Sequence, residues 1–311
     1  MESRTIGRLT VSVVGIGCNN FGGRTEEAAT RAVVAAALDE GITLFDTADI
    51  YGGTRSEELL GAALGPRRDD VVIATKFGMG DGAKLPAGAS AASIASAVEG
   101  SLRRLGTDRI DLYQLHAPDD ATPIDETLAA LDRLVNDGKV LEIGCSNFDG
   151  ARLDDAAASA EKHATAPFVS VQNELSLLRR RGESDLRSAC ERHQLAILPY
   201  FPLASGMLTG KYRRGKEPPA GTRLASMAPE GRERALSERR FDVVEALEAF
   251  ARERGHTLLE LAMSWLAGIP HLASVIAGAT KPEQVRANAA AVGWLLTDED
   301  RTDLDRISPE R

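Results

Sequence analysis

Cysteine is scarce in this sequence. Its three copies, Cys18, Cys145 and Cys190, lie far apart and form no Cys-x-x-Cys pair, which excludes a disulfide framework and fits a reducing compartment. Histidine is nearly as rare, with five copies and no two at metal-ligand spacing. A metal-dependent hydrolase needs several His or Asp ligands at strand ends, where this chain offers His116 and Asp46. Positive charge is also short: 37 Lys and Arg against 46 Asp and Glu leave a net charge of −9. That balance argues against nucleic acid as a partner and still permits a local basic pocket. No run approaches the ~18 apolar residues of a membrane span. The start, Met1-Glu2-Ser3-Arg4-Thr5, lacks the apolar stretch of a signal peptide, so a cytoplasmic protein with no membrane partner is expected. There is no Gly-x-Ser-x-Gly elbow of the serine hydrolases. Gly15-Ile16-Gly17 starts like a dinucleotide fingerprint, but its third glycine position is Asn20 and no helix opens there.

What the chain does have is ample core material, 43% hydrophobic residues among 311, in a regular alternation. Apolar runs at Val11–Gly17, Ile42–Phe45, Val71–Lys76, Ile110–Leu115, Val140–Gly144, Phe168–Val171, Leu195–Leu198 and Leu272–Ile276 read as strands. Helical patterns separate them. One is alanine-rich, capped at Thr25 and stopped at Gly41. Others open at Ser56 and Ser90, and Thr122-Pro123-Ile124-Asp125 gives a cap with proline in the first turn. A last helix starts at Pro282. Eight strand–helix units in residues 1–311 predict one (β/α)8 barrel domain. A Gly-rich loop covers 78–88. The stretch 205–240 is charged, punctuated by Pro and Gly, and too long for a plain connection; it is expected to drape over the barrel mouth.

Polar residues gather where such barrels place their chemistry. Asp46, Lys76, His116, Asn147, Gln172 and Tyr200 each fall at or just past the carboxyl end of a predicted strand. Tyr51 follows Asp46 by five residues on a turn loosened by Gly52-Gly53. A tyrosine alone is a poor acid near neutrality, its phenol titrating at about 10. A lysine nearby favours the phenolate, and a carboxylate holds the lysine. Amide side chains suit a planar carboxamide, so the set points to proton transfer coupled to hydride transfer.

These motifs resemble the aldo-keto reductases from about Gly7 to Asn288. The likeness is carried by Asp46-Thr47-Ala48-Asp49-Ile50-Tyr51-Gly52, Thr75-Lys76, Asp111-Leu112-Tyr113-Gln114-Leu115-His116, Gly144-Cys145-Ser146-Asn147-Phe148, Val171-Gln172-Asn173, Gly206-Met207-Leu208-Thr209-Gly210-Lys211-Tyr212 and Gly278-Ala279-Thr280. The resemblance implies an NAD(P)H-dependent carbonyl reductase, NADPH preferred over NADH, acting on a small aldehyde or ketone. It implies Tyr51 as general acid, Lys76 lowering its pKa, Asp46 pairing with Lys76, and His116 orienting the carbonyl. Ser146, Asn147 and Gln172 match the carboxamide holders, Tyr200 the ring stacked on the nicotinamide, and Phe201, Leu203 and Ser205 the pyrophosphate contacts. Gly278, Thr280, Lys281, Gln284 and Asn288 match the adenosine-phosphate pocket, at a helix start that favours phosphate. Gln284 stands where other members have arginine, and Ala287 where many carry an acid. Asn20, Phe21, Phe77 and Phe148 are expected as substrate-pocket walls, no metal is expected, and a monomer is the expected state. A non-catalytic, cofactor-binding regulatory subunit is the alternative.

Overall fold

The computed structural model describes residues 1–82 and 85–310; the middle of the expected Gly-rich loop falls outside the described residues. The chain opens with a hairpin, β1 (Ser3–Ile6) and β2 (Leu9–Ser12), paired antiparallel. Then the alternation begins: β3 (Val14–Gly17), α1 (Glu27–Asp39), β4 (Leu44–Asp46), α2 (Arg55–Leu64), β5 (Val72–Phe77) and α3 (Ala91–Leu105). It continues with β6 (Ile110–Leu115), α4 (Ile124–Asn136), β7 (Val140–Ser146), α5 (Gly150–His163), β8 (Ser170–Glu174), α6 (Glu183–His193) and β9 (Ala196–Tyr200). After a 3-10 turn at Ala204–Thr209 come α7 (Pro229–Ala235), α8 (Glu238–Glu253), α9 (Leu258–Ala267), β10 (Val275–Gly278), α10 (Pro282–Ala290) and α11 (Asp298–Ile307).

Eight strands run parallel in the order β10-β3-β4-β5-β6-β7-β8-β9. The ends of that sheet meet where the Ile197 amide donates to His271 O (2.8 Å) and the Ala273 amide to Ile197 O (3.0 Å), closing a (β/α)8 barrel. The main core lies between the strands and their cover of helices. A second cluster fills the inside of the barrel, where Ile6, Leu9 and Val11 of the hairpin meet Leu44, Ala74, Leu112 and Leu198 of the strands. The hairpin is thus a plug for the end of the barrel away from the site.

Four expectations change. Val11–Gly17 is two strands rather than one, because Ser12 ends the hairpin and its hydroxyl donates to Val14 O. Thr25 does not cap α1; its hydroxyl donates to Asn20 O instead (3.2 Å), and the helix starts without a side-chain cap. The stretch 205–240 crosses the mouth as expected, tied there by Arg24 Nη2 to Gly221 O (2.8 Å) and Arg223 Nη2 to Asn20 Oδ1 (3.1 Å), but it also contains α7. Most strands finish one or two residues later than the apolar runs suggest, which carries Asp46, Ser146 and Tyr200 onto the last rungs of β4, β7 and β9.

Candidate active site

Lys76 is fully buried on β5. A buried ammonium is tolerated only where its charge and its protons are matched, and here each is. Nζ donates to Asp46 Oδ2 at 2.7 Å, to Thr47 O at 2.8 Å and to the Tyr51 hydroxyl at 3.4 Å. The other oxygen of Asp46 accepts from Gln172 Nε2 (2.8 Å) and Gln114 Nε2 (3.3 Å). Four strand ends therefore converge on one ion pair. Tyr51 reaches it from a turn that glycine makes possible: Gly52 has φ +59°, and a Cβ there would stand 2.4 Å from Phe21 O.

Burial and the neighbouring charges set the protonation states. Loss of water raises the phenol of Tyr51 above its usual value, with Lys76 pulling it down and Asp46 pushing it up. Lysine does lower the phenol, as expected, but burial outweighs it and the net direction is upward. Burial works against the Lys76 cation, but Asp46 and Tyr51 more than offset it and its pKa is raised. His116 lies edge-on to Tyr51, ring centroids 5.8 Å apart. Burial, reinforced by Lys76, lowers its pKa to about 3, so the imidazole is neutral, and its buried Nδ1 has no hydrogen-bond partner among the described residues. At neutral pH the site thus holds a protonated phenol, a charged lysine and a neutral histidine.

The site opens into a cavity of about 620 Å³. Near the ion pair its wall is a net of amides. Ser146 Oγ donates to Gln172 O (2.6 Å), Asn147 Nδ2 to His116 O (2.9 Å), and Tyr200 OH to Asn147 Oδ1 (2.8 Å). Asn147 adopts φ +63°, a left-handed conformation that asparagine tolerates better than most side chains. Because Gln172 Nε2 is held by Asp46, its Oε1 is what remains to meet a ligand. The cavity passes Phe201, Leu203 and Ser205 and ends at Gly278, Thr280, Lys281, Gln284 and Asn288, where α10 begins with Pro282 and no side-chain cap. Gln284 Oε1 accepts from the amide (2.8 Å) and hydroxyl (3.2 Å) of Thr280.

A sequence model of the Aldo/keto reductase family matches residues 13–309. The chain is 37% identical to the uncharacterized oxidoreductase YrpG of Bacillus subtilis, over 99% of this chain and 96% of that protein. It is 34% identical to the aldo-keto reductase YhdN of the same organism (96% and 89% covered). It is also 31% identical to a probable voltage-gated potassium channel subunit beta of Arabidopsis thaliana (94% and 91% covered). The chain belongs to the Aldo/keto reductase family. It is an NAD(P)H-dependent oxidoreductase.

The cavity of this aldo-keto reductase suits a dinucleotide in its charge. Arg24, Lys211, Arg223 and Lys281 all line it, and among the described residues none has a carboxylate partner within 4.0 Å. Loss of water and repulsion from Arg24 lower the pKa of both Lys211 and Arg223, the sign of a cation group short of its anion. Gly206 (φ +94°) makes room for Lys211: a Cβ there would lie 2.6 Å from the lysine Cε and Nζ. The sequence offers the 205–240 stretch, with Lys211 and Arg223, only as candidate pocket wall, and offers no role for Arg24. Asn20 lines the cavity. Phe21, Phe77 and Phe148 do not: all three are buried in the main core, Phe77 stacked on Tyr113 at 4.7 Å and Phe148 edge-on to Phe168. Met79 and Phe201, both exposed, supply apolar wall instead.

Proposed function

We propose that this aldo-keto reductase reduces small aldehydes and ketones with NADPH, using Tyr51 as the general acid. The observation that carries the reading is the Tyr51–Lys76–Asp46 chain, with its protonated phenol facing the cavity. When bound, the nicotinamide supplies the hydride. Tyr51 donates its proton to the carbonyl oxygen as charge develops there, and the phenolate left behind faces the Lys76 ammonium. Asp46 keeps that ammonium in place and charged, while Gln114 and Gln172 keep Asp46 in place. Neutral His116 offers a ring N–H to the same carbonyl oxygen without competing as an acid. Ser146, Asn147, Gln172 and Tyr200, which line the cavity beside the ion pair, would hold and cover the carboxamide and ring of the cofactor. Arg24, Lys211 and Arg223 would meet its pyrophosphate, and Lys281 with the start of α10 would meet the 2′-phosphate that distinguishes NADPH. The apolar Met79 and Phe201 favour a substrate without charge at the open end, and such a wall discriminates weakly by size. Cytoplasmic residence goes with this chemistry, and no helix among the described residues is long and apolar enough to cross a membrane.

Similarity to potassium channel beta subunits supports a second reading, a cofactor-binding sensor that does not turn over. Fluorescence titration with NADPH and with NADH, followed by NADPH oxidation with 4-nitrobenzaldehyde, separates the two. Tighter NADPH binding with turnover supports the reductase; binding without turnover across a panel of carbonyls contradicts it.

A further inference from the structure

We propose that a second, smaller depression is a binding site for a small phosphate-bearing anion, separate from the large cavity and built from the loop after β8 and the start of α8. It measures about 330 Å³ and is ringed by Arg179, Arg180, Arg181, Arg239 and Arg240. None of these residues lines the large cavity.

Five guanidinium groups around so small a space repel one another unless a counter-charge is present. The chain carries nine more acidic than basic side chains, so a shortage of carboxylates does not explain the cluster. The acids of α8 itself are engaged elsewhere. Glu238, Asp242 and Glu245 on α8 all pair with Arg214, turning away from Arg239 and Arg240. Among the described residues, Arg181, Arg239 and Arg240 have no carboxylate within 4.0 Å, and Arg179 has only a loose one, Glu174 at 3.8 Å. Arg180 is different. It is 9% exposed, held by Glu183 (2.7 Å), Asp305 (2.8 Å) and Ser308 O (2.7 Å), and lies 5.1 Å from the Trp265 ring centre. It forms a fixed floor, and the four less restrained arginines stand around it.

Two further features match a phosphate-bearing ligand. Ser237, the N-cap of α8, lines the depression, and its side chain makes no capping bond to the helix. The positive end of a 16-residue helix therefore adds to the arginines. Guanidinium forks bind phosphate oxygens in pairs, which a solvated lysine patch does not do. Leu178 and Val243 also line the depression and give an organic phosphate an apolar side to rest on.

Inorganic pyrophosphate, titrated calorimetrically at fixed ionic strength, tests the proposal. The starting protein is Arg24→Gln/Arg223→Gln, in which the large cavity has lost two of its cations. It is expected to retain one pyrophosphate site. Adding Arg181→Gln and Arg240→Gln is expected to weaken that site by at least about tenfold, with circular dichroism and Tm unchanged. Affinity indifferent to Arg181 and Arg240, or absent from the starting variant, overturns the proposal. If the fourfold variant fails to fold, Arg239→Gln alone, at an exposed position, is expected to weaken binding at least about threefold, and no change there overturns it equally.

Discussion

Replacing Tyr51 with Phe keeps the ring and removes the proton that Tyr51 is proposed to donate. Turnover is expected to fall by about 10²–10⁴-fold, with NADPH affinity within about twofold of the parent by fluorescence titration. Beneath the site, Asp49 is fully buried, with no ion-pair partner among the described residues and only the Ile50 backbone hydrogen-bonded to its carboxylate. Burial, then the charge of Glu57, raises its pKa from 3.8 to about 7, with Arg104 opposing. A folded-state pKa above the unfolded one means that Asp49 stabilises the fold fully below pH 3.8 and loses that contribution as pH rises toward 7. Asp49→Asn should therefore raise stability by a few kcal/mol above pH 7, at about 1.4 kcal/mol per pKa unit, and change little near pH 4. Urea denaturation at both pH values measures this; an equal effect at both contradicts it. Lys281→Ala should weaken NADPH several-fold and NADH hardly at all, and equal losses would remove Lys281 from the phosphate pocket. That Asp46, Lys76 and His116 share the carboxyl face of the barrel was legible in the sequence because residue type and position at a strand end are both local facts, and Tyr51 was legible from its turn five residues after Asp46. Phe21, Phe77 and Phe148 were misread because an aromatic beside a strand end faces either the cavity or the core, and only tertiary packing chooses.

At the scale of elements, the barrel strands and most helices follow from apolar period and caps. The β1–β2 hairpin does not, since Val11–Gly17 is one apolar run and only the Ser12 turn divides it. Ile6 on that hairpin is fully buried inside the barrel. Ile6→Ala should cost about 2–5 kcal/mol, read from the denaturation midpoint, while kcat at 25 °C stays near the parent value because the plug lies at the end away from Tyr51. A matched loss of kcat in folded protein would show that the plug reaches the site. The helix α11 was also missed, although Thr297 and Asp300 form a reciprocal capping box that marks its start. Arg24 and Arg223 illustrate the limit of local reading: they meet only because the 205–240 connection crosses the mouth, and no spacing rule brings residues 24 and 223 together.

The whole molecule is acidic, yet its large cavity gathers Arg24, Lys211, Arg223 and Lys281. An anionic cofactor is then drawn to a positive well on a negative body, and binding should weaken several-fold between about 0.05 and 0.5 M salt as charge is screened. In the proposed reaction, proton donation by Tyr51, with Lys76 behind it, accompanies reduction of a carbonyl by NADPH. Single-turnover oxidation of bound NADPH by 4-nitrobenzaldehyde, in the parent and in Tyr51→Phe, tests it most directly. Rapid oxidation in the parent and a rate at least about 10² lower in a variant that still binds NADPH is the predicted result. A variant that binds NADPH and oxidises it as fast as the parent would rule out Tyr51 as the proton donor.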